Sequence, residues 1–547
     1  MTFEEKIKAL EPQEVWEEYC GFLDLDMESY MQIQNRLMLE QLSLWEASPL
    51  GRQMLSGRKP ASIRDFREQF PLTSYGDYAD ILLMKRDDML PEEPVVWIET
   101  TWEGGTHPVK VAPYTKGMVE IYTRNLFAAL ILSTGTGRGN FNVEQGDTIL
   151  YGLAPLPYAT GLIPVAVQDE MRLEFLPPVR EAVNMSFGER NKKGFKMGLS
   201  KGIDYFFGMG SVAYFVSLSI AAIGGGQGGS GGGGIKKLLH CSPSMLARLL
   251  AAKSRCRKEN RDLKPKDLFK LKSFICAGTD NGCYKDDLED LWGVRPLELF
   301  MGTEPSCMGV ETWNRNGMYF FPDTCFYEFI PEAEMYKSLD NPDYQPKTCL
   351  MDEVVAGEKY ELVISVLKGG AFMRYRVGDT YRCMGLSNKE DQTCIPRFQY
   401  IDRIPTVIDI AGFTRITENS IRSVVELSGL QVQEWMAVKE YNENNRPYMH
   451  MFVEMEEDSL ASHAVSREIL KEHLGVYFKY VDQDYTDLKR ILGMDPLAVT
   501  ILRCGTFAEY ERRTGNRIRR INPSSLEVGE LLRLQQESYA PKRRCYA

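Results

Sequence analysis

Across residues 1–70 apolar side chains recur at helical spacing: Trp16, Tyr19 and Leu23, then Tyr30, Ile33 and Leu37, then Met38, Leu42 and Trp45. The spacing predicts a helical segment packed on a larger body. Val95-Val96-Trp97-Ile98 reads as a short buried strand, and Asp147 to Gly161 as a strand followed by a loop of aromatic and small residues. No charge occurs between Tyr205 and Ile223, a run long enough to meet the length rule for a membrane span. Gly208, Gly210, Ser211, Ser217 and Ser219 dilute it, and neither a Lys/Arg asymmetry nor an aromatic belt flanks it, so a strand and helix of a central sheet are predicted instead.

Residues 243–292 alternate helix and strand, with a strand over Leu271–Cys276, a turn at Ala277-Gly278-Thr279, a helix over Tyr284–Trp292 and a further strand over Pro296–Phe300. Two such strands, each ending in a Gly-containing turn, place two loops at the carboxyl edge of a parallel sheet, where ligands of open α/β folds bind. GGGQGGSGGGG at 224–234 is a flexible stretch within the large domain. Ser133-Thr-Gly-Thr-Gly-Arg-Gly139 imitates a nucleotide loop, but the polar Asn140-Phe-Asn-Val-Glu after it opens no helix, and a simple turn is predicted. From Gly369 the chain reads as an apolar run, a sharp turn at Val377-Gly378-Asp379, a second strand, a polar loop and a third strand ending at Asp402-Arg403. Gly378 permits the turn, which leaves Asp379 exposed at a strand end. Beyond Pro405 the pattern is a compact α+β domain with a strand at Val407–Ile410, a helix at Thr417–Leu427, a strand at Met449–Val453, a helix at Ser466–Leu474 and an apolar stretch at Leu497–Leu502.

At 547 residues the chain exceeds one core. A formal charge of −11 and a pI near 5.3 argue against a nucleic-acid backbone as partner, despite the local arginines 512, 513, 517, 519 and 520. The twelve cysteines form no CxxC pair, and the charged, amphipathic start MTFEEKIKAL is not a signal peptide, so reduced thiols and a cytoplasmic location are expected. The five histidines show no metal-ligand spacing.

A carboxylate and a guanidinium from two strand ends, Asp379 and Arg403, suit a polyol such as a ribose, and equally suit a structural ion pair on a sheet edge. Thr100-Thr101-Trp102-Glu103-Gly104-Gly105 leading to Lys110 is a strand feeding a hydroxyl- and Gly-rich loop that ends in an ammonium, which is what a triphosphate requires.

Arg376-Val-Gly-Asp379 with Tyr400-x-x-Arg403, Phe300-Met-Gly-Thr-Glu304 and Ala277-Gly-Thr279, in this order and spacing, resemble the nucleotide-binding core of the adenylate-forming superfamily. The resemblance is to its acyl-acid amido synthetase branch, which includes the plant auxin-conjugating enzymes and bacterial relatives. It implies an α/β fold with a large N-terminal domain of mixed sheets and helices, residues 1–404, and a small mobile α+β C-terminal domain, residues 405–547. It implies a soluble, cytoplasmic enzyme that uses ATP and Mg²⁺ to activate a small carboxylic acid and pass it to an amine, with no nucleic acid and no membrane as partner. Carried over residue by residue, Thr100, Thr101, Gly105 and Lys110 hold the phosphates. Ala277, Gly278, Thr279, Phe300, Met301, Gly302 and Thr303 surround the nucleotide, Glu304 holds the metal, and Asp379 and Arg403 hold the ribose. The strand-and-loop after Asp147 and the segment from Phe206 to Val212 line the acyl pocket.

The sequence departs from the family in two places. Trp102 and Glu103 stand where a small Gly and a Thr or Arg are expected, so the phosphate loop is that of a degenerate, bacterial-type member. Ile521-Asn-Pro523 is kept near the end, but the lysine that precedes it in relatives is missing, and Arg519 or Arg520 would have to supply the charge. The rival expectations are an acid–thiol ligase making a coenzyme A thioester and a non-catalytic homologue that binds a nucleotide or acyl ligand.

Overall fold

A computed structural model describes residues 1–100, 109–224, 243–412, 414–455, 467–481 and 495–539. The described chain falls into two compact units, one reaching to Asp402 and the other starting at Arg403. Among the described residues no helix is long and apolar enough to cross a membrane.

The first unit is built on one 11-stranded sheet. Its strands are β3 (Thr148–Tyr151), β4 (Glu174–Leu176), β5 (Tyr205–Gly208), β6 (Ser273–Cys276), β7 (Leu297–Gly302), β8 (Ser306–Glu311), β9 (Met318–Phe320), β10 (Cys325–Pro331), β11 (Lys359–Val366), β12 (Tyr375–Gly385) and β13 (Arg397–Arg403). The order is β10-β11-β12-β13-β9-β8-β7-β6-β5-β3-β4. From β3 to β7 the pairing is parallel, and from β7 onward the registered pairs are antiparallel. The charge-free run divides as the pattern predicts, into β5 and the helix Gly210–Gly224, and the parallel half is covered by a core centred on Trp292, Phe206 and Phe274.

Two strands lie apart from this sheet. β1 (Pro94–Glu99) and β2 (Val111–Thr115) form an antiparallel pair of their own. Val95 is therefore exposed rather than buried, because only one face of a two-stranded ribbon is covered. The Gly-rich stretch 225–234 lies outside the described residues. The look-alike loop after Ser133 is a turn closed by a Gly137–Asn140 bridge. Its Arg138 donates to Asp24 and to the carbonyls of Asp391 and Gln392, so the arginine fastens surface segments together.

The N-terminal helices are tied to the sheet by one buried carboxylate. Glu328 of β10 receives both Nε and Nη2 of Arg374 at 3.0 Å and Nε of Arg67 at 3.0 Å, with the Thr348 hydroxyl at 2.6 Å. Arg374 also donates to the carbonyls of Arg67 and Phe70, which end the helix Ile63–Gln69. Burial alone would raise the Glu328 carboxyl, but the two arginines and Thr348 outweigh it and hold it below the usual carboxylate range.

In the second unit β14 (Val407–Ile410) pairs with β15 (Thr414–Thr417), and β16 (Val432–Tyr441), β17 (Pro447–Met455) and β18 (Leu497–Leu502) form a three-stranded sheet. Met436, Phe452 and Leu502 on one face of that sheet pack against Phe507, Tyr510, Leu531 and Leu534 from the two C-terminal helices.

Arg374→Met leaves Glu328 buried with half its compensation, and a urea titration is expected to show a loss of about 3–5 kcal/mol. Because the folded Glu328 carboxyl titrates below its unfolded value, its contribution is complete above about pH 4.3 and is lost as pH falls through the folded value. Glu328→Gln should flatten that acid limb of the stability curve.

Candidate functional site

The parallel half of the sheet delivers two loops to one edge. After β6 come Ala277, Gly278 and Thr279, and after β7 come Thr303 and Glu304, in the turn that leads into β8. Gly278 has φ of +116°, and its carbonyl accepts the Asn281 amide at 2.7 Å, while the Asn281 oxygen accepts the Gly210 N–H at 3.1 Å. Beneath both loops the buried Lys285 ammonium lies 3.1 Å from Glu298 of β7 and 2.6 Å from Glu311 of β8. Burial pushes the Glu298 carboxyl up despite that lysine.

Lys110, just before β2, meets Glu304 here. The ammonium is 3.4 Å from Glu304 Oε1 and 3.3 Å from the Tyr375 hydroxyl, and Tyr375 donates to the same carboxylate oxygen at 2.5 Å. The rings of Tyr75 and Tyr375 lie 5.6 and 6.0 Å from the ammonium. Thr100 is held beside Lys110: its N–H donates to the Lys110 carbonyl and its Oγ1 accepts the Lys110 N–H, both at 3.0 Å. The buried Tyr114 hydroxyl donates to the Thr303 carbonyl at 2.9 Å. Burial and the nearby Glu304 charge push its phenol well above the ordinary value, so it stays a donor.

Asp379 does not end a strand, and it is buried. The turn expected at Val377-Gly378-Asp379 is a bulge inside β12: Glu361 of β11 faces Thr380 and Val363 faces Arg376, so one residue opposes three. Gly378 takes φ of +82° there, and Arg376 secures the distortion with two hydrogen bonds to the buried Glu361 at 2.7 and 2.6 Å. Burial raises the Glu361 carboxyl, Arg376 offsets part of that, and the negative charge of Asp379 adds to it. The Phe300 ring, half-buried, meets Tyr381 of β12 edge-on at 5.4 Å and stacks with Tyr400 of β13 at 6.1 Å. An apolar, aromatic platform thus lies two strand positions from Asp379.

Thr100, Lys110, the two edge loops, Phe300 to Glu304 and Asp379 therefore all lie in the first unit. Thr101 and Gly105, with Trp102 and Glu103, lie outside the described residues. Arg403, in the second unit, has Nε 3.8 Å from the buried Asp409, which also binds Arg415 at 3.2 Å. Arg519 lies between the last two helices. Its neighbour Arg520 is committed to Glu434 and Glu418 at 2.5 and 3.3 Å and to the Trp435 ring. The segments assigned to an acyl pocket comprise the buried strands β3 and β5, the partly exposed loop after Tyr151 and the first turn of the helix from Gly210. Ile149 and Phe207 line an apolar cavity of only about 20 Å³ against the helix Lys116–Thr134. Tyr375 was hidden in plain view: it sits in the Arg374-Tyr-Arg-Val-Gly-Asp run, but the partners of its hydroxyl, Glu304 and Lys110, come from distant parts of the chain.

Residues 318–403, which hold β9 to β13 and with them Asp379, match the GH3 family central domain. Around it, the chain is 28% identical over 235 residues to the jasmonoyl–L-amino acid synthetase GH3.5 of Oryza sativa subsp. japonica, an alignment covering 39% of this chain and 38% of that protein. It is 26% identical over 121 residues to a probable indole-3-acetic acid-amido synthetase, GH3.9, of the same organism, covering 21% and 24%. The chain thus aligns with well under half the length of these curated relatives. Among solved structures it is similar to the GH3.15 acyl acid amido synthetase in complex with 2,4-DB, with a TM-score of 0.53 at 16% identity over 97% of both chains. It is similar also to a 2-hydroxyisobutyryl-CoA ligase, with a TM-score of 0.53 at 17% identity over 93% and 92%. The two-domain α/β fold of adenylate-forming enzymes is borne out, and so is the resemblance to the amido synthetases.

Gly378→Ala places a Cβ in the left-handed region, and thermal unfolding should register a loss of about 1–2 kcal/mol. Gly357→Ala, at a similarly positive φ with open space around it, should cost no more than its backbone strain and serves as the comparison.

Proposed function

We propose that the protein activates a carboxylic acid with ATP and transfers the acyl group to an amine. In the first step a carboxylate oxygen attacks the α-phosphorus and pyrophosphate leaves. In the second the amine attacks the acyl carbonyl, AMP leaves, and the amine loses a proton. The observation that carries this reading is the meeting of Lys110, Glu304 and Tyr375 at the sheet edge that also presents the Ala277–Thr279 loop and the Phe300 platform.

In this reading Lys110, with Thr100, Thr101 and Gly105, binds and neutralises phosphate oxygens. Ala277, Gly278, Thr279 and the Phe300–Thr303 segment enclose the base, and Asp379 accepts from the ribose hydroxyls, with Arg403 donating to them. Glu304 is a single hard oxygen donor, the kind that suits a magnesium ion held otherwise by phosphates and water. Bound there, Mg²⁺ would supply charge neutralisation on the phosphates. Lys110 and Tyr375 orient the Glu304 carboxylate, and their contacts are what phosphate binding would exchange. Arg519 would supply the positive charge of the missing lysine in one half-reaction. Residues 1–404 would be the adenylating domain and 405–547 the small mobile one. Positioning and electrostatics carry the catalysis in this scheme. The cytoplasm, where ATP and free amines are plentiful, is the proposed location.

Pyrophosphate exchange into ATP across a panel of carboxylic acids tests the first step, and signal with none of them would remove it. Lys110→Ala should lower exchange by about 10²–10³-fold. Asp379→Asn should lower kcat/KM for ATP by about tenfold or more through loss of charge-assisted ribose contacts. AMP release that depends on an added amine supports the amide product, whereas release that depends on coenzyme A assigns an acid–thiol ligase. Tight AMP binding without turnover assigns a non-catalytic homologue.

A further inference from the structure

A second cavity, of about 370 Å³, opens between the N-terminal helices, the helix Lys116–Thr134 and the chain around residues 321–323 and 368, all in the first unit. Its volume is that of a small-molecule site. None of its lining residues belongs to the Lys110, Glu304 and Asp379 cluster. One wall is apolar, formed by Leu25 and by the rings of Phe22 and Phe321, whose centroids are 4.7 Å apart.

The charged lining does not cancel. Glu18 is held by Lys6 at 2.5 Å, Asp323 is paired with Arg124, and Arg36 pairs with Glu40 at 2.9 Å on the outer rim. Lys368, half-buried, has no ion-pair partner among the described residues. Arg124, whose side chain is about two-fifths exposed, is already paired with Asp323, and partial burial lowers its guanidinium below the ordinary arginine value. One uncompensated ammonium beside a half-exposed guanidinium that Asp323 already partners, with an aromatic wall in the same cavity, leaves a net positive charge and is the complement of a small monoanion with an apolar body. A cation would meet Lys368 and Arg124, and a neutral apolar molecule would leave both facing it without exchange for water.

We propose that this cavity is a binding site for an amphipathic monocarboxylate, its carboxylate on Lys368 and Arg124 and its hydrocarbon against Phe22, Leu25 and Phe321. The assignment stands apart from the adenylation reading. It does, however, place the ligand in mechanical reach of that site: the Lys368 carbonyl accepts the Thr115 hydroxyl at 2.6 Å, and Thr115 ends the strand β2 that begins beside Lys110.

Isothermal titration of the full chain with 4-phenylbutyrate, 4-phenylbutan-1-ol and 4-phenylbutylamine tests it. The acid should bind at least about tenfold more tightly than the alcohol, and the amine should not bind. Lys368→Met should weaken the acid by about tenfold or more, Leu25→Trp should fill the cavity and abolish it, and Asp379→Asn should leave it unchanged. Circular dichroism melts of the variants separate lost binding from lost fold, and Lys368→Arg should restore affinity. Acid binding that survives both Lys368→Met and Leu25→Trp, or equal binding of acid and alcohol, overturns the proposal, as does no binding of the acid at millimolar concentration. Pyrophosphate exchange measured on the same variants keeps the two readings distinct, because failure of this site leaves exchange untouched.

Discussion

Three segments far apart in the chain meet where the Lys110 ammonium, the Glu304 carboxylate and the Tyr375 hydroxyl touch. The contact is costly to assemble. It desolvates two opposite charges and a phenol, and it holds only because three rigid pieces bring them to the same place. Lys110 is delivered by a two-stranded ribbon, Glu304 by the turn after the last parallel strand, and Tyr375 by the start of β12. The ribbon is itself seated by Tyr75, whose hydroxyl receives the Val111 N–H at 2.6 Å, and by Tyr114 on the Thr303 carbonyl. The Glu328 clamp does the corresponding task behind β12, since Arg374, which precedes Tyr375, is fixed there by both its forks. The polar site is thus a product of packing on both sides of the sheet.

Much of this was readable from residue order, and the reasons differ from element to element. β6 and the strand through Phe300 stand out because each is a short apolar run closed by a Gly-containing turn, and the charge-free run from Tyr205 splits at Gly208–Gly210 for the same reason. The turn after Ser133 was legible because its flank is polar. The bulge at Val377-Gly378-Asp379 was not, because a glycine at positive φ serves a reversal and a bulge equally well. The choice is made by Glu361, fifteen residues before Arg376 on the neighbouring strand, through its grip on that arginine. Asp379 consequently lies inside the sheet rather than at a strand tip. Val95 misled because an apolar run carries no mark of whether one face or two will be covered. Tyr375 carried no signal of its own, since nothing local distinguishes a tyrosine that meets a carboxylate from one that fills a core.

Polarity is handled differently in the two places where ligands are assigned. At the sheet edge Lys110 and Glu304 already lie within reach of each other, so a phosphate or a metal would have to exchange existing contacts. In the cavity beside the N-terminal helices the sum of charges is left positive and the wall opposite is aromatic. The first arrangement suits ligands that bring their own counter-charges, and the second suits a single small anion.

β7 is the strand at which the sheet changes from parallel to antiparallel pairing, and it faces two environments residue by residue. Leu299 goes to the helix-covered core and Phe300 to the aromatic side with Tyr381 and Tyr400. A slip of one residue would exchange them and carry the Thr303-Glu304 turn off its mark. Opposite Phe300 stands Gly309, which also faces Phe320 of β9, and a Cβ at Gly309 would come within 2.7 Å of the Phe320 ring. The three strands that carry the edge can therefore lie side by side at this point only because residue 309 lacks a methyl group.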